Sequence, residues 1–213
     1  MARKNSKNTT SKRHTAIPAK AEQPATPLKK AAEAVTPAPV IPAAAPKISK
    51  PIDRAAVTAN IAALRGNDAD VARDAAAALG GLGDVSAVEP LIEVLANSND
   101  YFHSVVRAAA ASSLAQLNDA RAFQPLVNAV RDNMAEASAE AVRALATMGD
   151  PRAVGVLIDI VRNPSGYFLS TVRLAAVAGL KQLGGERAAA ELRQVAADGS
   201  EDPVIREAAT NSR

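Results

Sequence analysis

Apolar residues over the last three-quarters of the chain recur at intervals of three and four. Val88, Leu91, Ile92 and Leu95 stand at i, i+3, i+4 and i+7, the spacing that lines one face of an α-helix. Phe123, Leu126, Val127 and Val130 repeat it, as do Val154, Leu157, Ile158 and Val161. Before each of these stripes runs an Ala-rich stretch: VARDAAAALGGLGD from Val71, VVRAAAASSLAQLND from Val105, and AEASAEAVRALATMGD from Ala135. A fourth, TVRLAAVAGLKQLGG from Thr171, precedes ERAAAELRQVAA. The equivalent residues Leu79, Leu114, Leu145 and Leu180 are 35, 31 and 35 positions apart. A repeated unit of two amphipathic helices cannot bury its apolar face alone, so it stacks on its neighbours. The expected fold is all-α: an α-solenoid of about five helix pairs over residues 51–213.

The pattern predicts first helices over 52–65, 86–97, 120–132, 151–163 and 186–198. Second helices are expected over 69–81, 101–117, 134–147, 167–183 and 203–211. Gly83, Gly149 and Gly184 stand where a helix must stop, and glycine enters the left-handed C-cap conformation cheaply. Asp84, Asp119 and Asp150 each precede the next helix, placed to accept hydrogen bonds from its free first-turn N–H groups. Pro151 follows at a first helical position, where a missing N–H costs nothing. As caps one repeat apart, the three aspartates do not converge on a substrate or a metal.

These residues carry a resemblance. First helices bearing Pro90 and Pro125, second helices opening on Val106-Arg107, Val172-Arg173 and Ile205-Arg206, and a Gly-Asp turn resemble HEAT repeats. The variety is the short, Ala-rich one named after phycobilisome lyases. Repeat one departs with Val71-Ala72-Arg73 and repeat three with Ala137-Ser138, and the later repeats replace the prolines with Val156 and Glu191. The resemblance covers about residues 52–213. It implies a solenoid and says little of function. It also implies that Arg107 and Arg173 pair with acids of the adjacent turn as a structural ladder.

Composition narrows the classes. Apolar residues make up 48% of the 213, yet aromatics only 2%, and there is no cysteine or tryptophan. Without cysteine there is no disulfide framework and no zinc–thiolate site. The two histidines, His14 and His103, do not make a multi-histidine metal site, so neither metal nor cofactor is expected. The apolar runs fall far short of the ~20 residues of a membrane span, and the N-terminus lacks a secretory apolar stretch. A cytoplasmic monomer is the expectation.

The net charge of +3 hides an asymmetry. Residues 1–50 hold ten Lys/Arg against two acids, and residues 51–213 hold fifteen against twenty, giving +8 and −5. The first fifty also carry seven prolines, no glycine and no aromatic. Such a stretch cannot bury enough apolar surface to offset its ordering entropy, so 1–50 is read as a disordered basic arm. A basic arm suits nucleic acid or an acidic surface. The acidic body does not suit a DNA duplex.

The period alternates because repeats two and four carry about four extra residues, NSNDYFHSVVR (97–107) and NPSGYFLSTVR (163–173). The shared Tyr-Phe-x-Ser-x-Val-Arg holds both tyrosines and two of the three phenylalanines. Phe102, Val106 and Ala109 fall at i, i+4 and i+7, as do Phe168, Val172 and Ala175, so the phenylalanines are expected to lengthen the core stripe of the second helix. Tyr101 and Tyr167 are freer, and His103 is expected on the exposed first turn of its helix. Tyrosine beside arginine on a rigid edge is the residue chemistry of binding hot spots. The candidate partner-binding set is Tyr101, His103, Arg107, Tyr167, Leu169 and Arg173.

Catalysis finds little support. Deoxyhypusine hydroxylases of this repeat type hold iron with His-Glu pairs, and no His-Glu dipeptide occurs here. No nucleophile–base arrangement or phosphate loop is present; GGLGD at 80–84 ends a helix rather than following a strand. The function expected is a non-enzymatic protein-binding scaffold that takes a protein or peptide on its edge and concave face. The alternatives are nucleic-acid association through the arm and a bilin lyase-like auxiliary role.

Overall fold

The computed structural model describes residues 52–98, 101–163 and 165–210. The basic arm of 1–50, and with it the boundary at Lys50, lies outside the described residues. Among those residues the structure is helical throughout, with no strand. The helices are α1 (Arg54–Ala63), α2 (Ala69–Leu82), α3 (Val88–Ala96), α4 (Ser104–Leu117) and α5 (Phe123–Ala129). They continue as α6 (Ala135–Met148), α7 (Ala153–Arg162), α8 (Ser170–Leu183), α9 (Glu186–Ala197) and α10 (Pro203–Thr210). Five successive antiparallel pairs stack into an α-solenoid. None of these helices is long and apolar enough to cross a membrane.

The aspartates before α3, α5 and α7 cap tight turns rather than the α-helices themselves. Each side chain accepts from the backbone N–H two residues on, Ser86, Arg121 and Arg152, at 2.9 Å. Each backbone carbonyl accepts from the N–H three residues on, Ala87, Ala122 and Ala153, the short ring of a 3-10 turn. The α-helices therefore start at Val88, Phe123 and Ala153, two or three residues later than the sequence pattern suggests. Pro151 lies in the opening turn and not at a first α-helical position. Gly83 and Gly149 end α2 and α6 in the left-handed conformation, and Gly184 ends α8 at φ 66°.

The second helices pack against one another in series, while the first helices touch their counterparts far less. The first helices therefore splay outward, and the second helices line the inner curve. Alanine and glycine make the close stacking possible. The equivalent Leu79, Leu114, Leu145 and Leu180 are each fully buried. A Cβ added to Gly80 would lie 2.9 Å from Ser113 Cα, and one on Gly179 would lie 3.0 Å from Ala146 Cβ. In the space Gly80 leaves, the Ser113 hydroxyl donates to the Ala76 carbonyl at 2.7 Å. Backbones this close gain dispersion contacts that larger side chains would prevent.

Candidate functional site

Asn97 and Asn163 end α3 and α7 in the left-handed conformation, at φ 42° and 43°. Their side-chain oxygens accept from the N–H of Phe102 at 2.7 Å and of Phe168 at 2.9 Å. These bonds close the inserted segments as loops. α4 and α8 then begin at Ser104 and Ser170, so the continuous helical face expected to include Phe102 and Phe168 does not form. The loops deliver the two rings instead. Phe168 is buried and Phe102 half-buried against the core, each edge-on to its neighbouring tyrosine at 5.1 and 5.0 Å.

The tyrosines reach backward along the solenoid. The Tyr167 hydroxyl donates to the Arg131 carbonyl at 2.8 Å, and the Tyr101 hydroxyl lies 3.1 Å from the Arg65 carbonyl. Both targets sit in the turn between the helices of the preceding pair. The Arg131 guanidinium also lies over the Tyr167 ring, 5.7 Å from its centre, within cation–π range.

The arginines reach forward. Arg107 donates two parallel bonds to Asp132, Nε to Oδ2 at 2.7 Å and Nη2 to Oδ1 at 2.6 Å. Arg173 donates from Nη1 to Glu201 Oε1 and from Nε to the Val161 carbonyl, both at 2.9 Å. Asp132 and Glu201 belong to the following pairs. Bonding to Arg173 holds the Glu201 carboxyl below its ordinary value. Arg107 and Arg173, expected on the partner-contacting surface, are 5% and 9% exposed. Desolvated and paired, they join repeats and present no cation to a partner. This is the ladder implied by the resemblance.

Solvent meets the other residues of the edge. Tyr101 is 52% and Leu169 62% exposed, Tyr167 is half-buried, and His103 is exposed. His103 and Leu169 do not lie within the first helical turn; they are the N-cap residues of α4 and α8. Between them in register stands Met134, the N-cap of α6, 49% exposed. None of the three has a side-chain bond to the helix it opens. The outer repeats differ: Asp68 accepts from the N–H groups of Asp70 and Val71, and Asp202 from that of Val204. The middle of the edge is thus uncapped and carries no carboxylate at these positions, with Met134 and Leu169 apolar, whereas its ends are capped by aspartates. Between the starts of α6 and α8 lies a cleft of 210 Å³ lined by Asp132, Ser138, Tyr167, Phe168, Leu169 and Val172. Sequence reasoning missed Met134 because repeat three lacks the Tyr-Phe insert. Aligning the starts of the Ala-rich helices places it between His103 and Leu169.

A larger groove of 690 Å³ lies at the far end of the chain, between α8, α9 and α10. α10, on one wall, is described over 8 residues, and α2, α4, α6 and α8 over 14. Leu180, Leu192, Ala196 and Ala209 line it, with Lys181 and Arg193. Lys181 donates to the Ala208 carbonyl, and Arg193 pairs with Glu186. Among the described residues, no three His, Cys, Asp or Glu side chains are grouped to hold a metal ion.

A family model described as HEAT repeats matches residues 57–137 and 128–212. The chain belongs to the HEAT-repeat family. Among solved structures, this HEAT-repeat protein is similar to the complex of CpcE and CpcF of phycocyanin lyase from Nostoc sp. PCC7120. The identity is 22% and the TM-score 0.57, over 75% of this chain and 99% of that one. Human deoxyhypusine hydroxylase in complex with glycerol matches at 18% identity and TM-score 0.42, over 73% of this chain and 72% of that one. No curated protein matches the chain. At 22% identity the likeness to the lyase complex is one of fold.

Proposed function

We propose that the protein is a non-enzymatic scaffold that holds an amphipathic protein segment on the edge formed by the starts of α4, α6 and α8. The observation that carries this reading is the register of His103, Met134 and Leu169, with Tyr101 beside them. Tyr101, Met134 and Leu169 expose apolar surface here, and such surface favours a protein partner over water. First-turn N–H groups that no side chain caps offer donors to a partner's carbonyls or carboxylates. The 210 Å³ cleft is smaller than the ~300–1,000 Å³ of small-molecule sites and suits one inserted side chain. The inner curve of second helices extends the contact. The protein acts as a cytoplasmic monomer, with the arm of 1–50 as a separate unit from the solenoid of 51–213.

The test is quantitative affinity capture from the native host with wild type and with the double substitution Met134→Ser, Leu169→Ser. Loss of the same captured protein, with an unchanged melting temperature, supports the edge. Undiminished capture removes it.

Two further readings each have one observation behind them. The +8 charge of residues 1–50 favours nucleic-acid association, which then disappears on deleting the arm. The 690 Å³ groove, lined by Leu180, Leu192, Ala196 and Ala209, favours an auxiliary role with an apolar ligand such as a bilin. That role predicts chromophore transfer to an acceptor protein, and absence of transfer removes it.

A further inference from the structure

α4, α6 and α8, each packed on the preceding second helix, carry two buried residues in a common register. They are Val106 and Ser113 in α4, Ala137 and Ala144 in α6, and Val172 and Gly179 in α8. All are buried, the five with side chains to 2% exposure or less. The same register in α2 falls on Val71 and Ala78. Ahead of α2 the described residues hold α1 but no second helix, Val71 is 50% exposed, and Ala78 is exposed too. With Asp70, Asp74, Ala77 and Gly81 they form one continuous exposed stripe of α2. Val71 and Ala78 are thus stacking positions with no partner among the described residues, while Ala77 and Gly81 stand at positions that are exposed in α6 and α8 too.

The charge at this end is also distinctive. Residues 52–98 hold seven acids and three arginines, a net of −4, whereas residues 101–163 hold six of each. Arg73 bridges Asp70 and Asp74 at 2.8 Å each and leaves that cluster one negative charge in excess. The Asp68 cap beside it adds another.

We propose that residues 1–50 of the same chain cover this face of α2. Fifty residues with a net charge of +8 enter the fold directly ahead of α1. Their second half, TPLKKAAEAVTPAPVIPAAAPKISK, supplies small and branched apolar side chains for Val71 and Ala78, with lysines, Lys29 and Lys30 among them, for the acidic rim. Covalent attachment holds the arm at an effective concentration in the millimolar range, so weak contacts suffice. The arm thereby takes the place of a capping repeat, whose role is to shield the open end of a solenoid.

The test is zero-length carbodiimide crosslinking of the full chain, mapped by mass spectrometry over a dilution series. The expected result is crosslinks from Lys29 and Lys30 to Asp70 and Asp74, several-fold above those to Glu136 and Glu140. Their yield stays constant on dilution and falls several-fold between about 0.05 and about 0.5 M salt as screening shortens. The exposed substitution Val71→Lys, which leaves the fold intact by circular dichroism, lowers that yield. Crosslinks spread evenly over α2 and α6 overturn the proposal. So do crosslinks that vanish on dilution, which assign the face to a second copy, and crosslinks indifferent to Val71→Lys.

Discussion

Ser138 and Arg173 stand at the same position of successive helix pairs, and both donate to a carbonyl at the end of the first helix of their own pair. Ser138 Oγ reaches the Val130 carbonyl at 2.6 Å, and Arg173 Nε reaches the Val161 carbonyl at 2.9 Å. Val130 and Val161 are themselves equivalent positions of the apolar stripe. The departure of repeat three from the Val-Arg pattern thus preserves the carbonyl bond and discards the link to the next repeat. Ser138 is 3% exposed, so Ser138→Ala orphans a buried carbonyl and should cost ~1–3 kcal/mol. Thermal or urea unfolding reads this directly.

Arg107 and Arg173 are the joints between repeats. Arg107 and Asp132 side chains are 6% and 9% exposed. Arg107→Met strands a buried carboxylate, with an expected loss of ~3–5 kcal/mol. Arg143, paired with Glu140 on the surface and 54% exposed, is the control. Arg143→Met should change stability by less than ~1 kcal/mol. Equal effects of the two substitutions would remove the distinction between joint and surface pair.

Adjacent glycines of α2 should respond with opposite signs. A Cβ on Gly80 meets the Ser113 backbone at 2.9 Å, whereas one on Gly81 meets nothing within 4 Å. Gly80→Ala forces α2 and α4 apart and should destabilise by ~1–3 kcal/mol. Gly81→Ala removes backbone freedom from the unfolded chain and should stabilise by ~0.5–1 kcal/mol. Denaturant midpoints of the two variants check both signs.

Two carboxylates set opposite pH responses. Arg173 holds Glu201 below its ordinary 4.5, so its contribution is present above that value and is lost as pH falls through the depressed one. Burial raises Asp159 above its ordinary 3.8, so its charged form weakens the fold as pH rises through the raised value. Asp159→Asn should therefore stabilise the protein at pH 7, and the gain should vanish in acid. Glu201→Gln should destabilise it at pH 7, by an amount that shrinks in acid. Melting temperatures over pH 3–7 follow both.

The helix pairs were legible because a 3.6-residue period repeated five times is a strong signal, and Leu79, Leu114, Leu145 and Leu180 marked its phase. The starts of α4 and α8 were not. Phe102 and Phe168 continue the apolar spacing arithmetically, but Asn97 and Asn163 close loops through bonds to those residues' N–H groups, which periodicity does not encode. The candidate edge was half legible for a related reason. Tyr101, His103 and Leu169 sit in matching inserts and stand out, whereas Met134 shares their register with no insert to mark it. Arg107 and Arg173 entered the candidate set, although the resemblance implied a ladder, because their acids lie 25 and 28 residues away, in the next repeat, beyond any local pattern.

The proposed partner lies against the starts of α4, α6 and α8. The most direct measurement places a photo-crosslinking amino acid at position 169, and separately at exposed position 58 of α1, in the native host. The expected result is one dominant protein adduct at 169, lost when Met134→Ser is added, and none at 58. Equal labelling at both positions, or no protein adduct at 169, would contradict it.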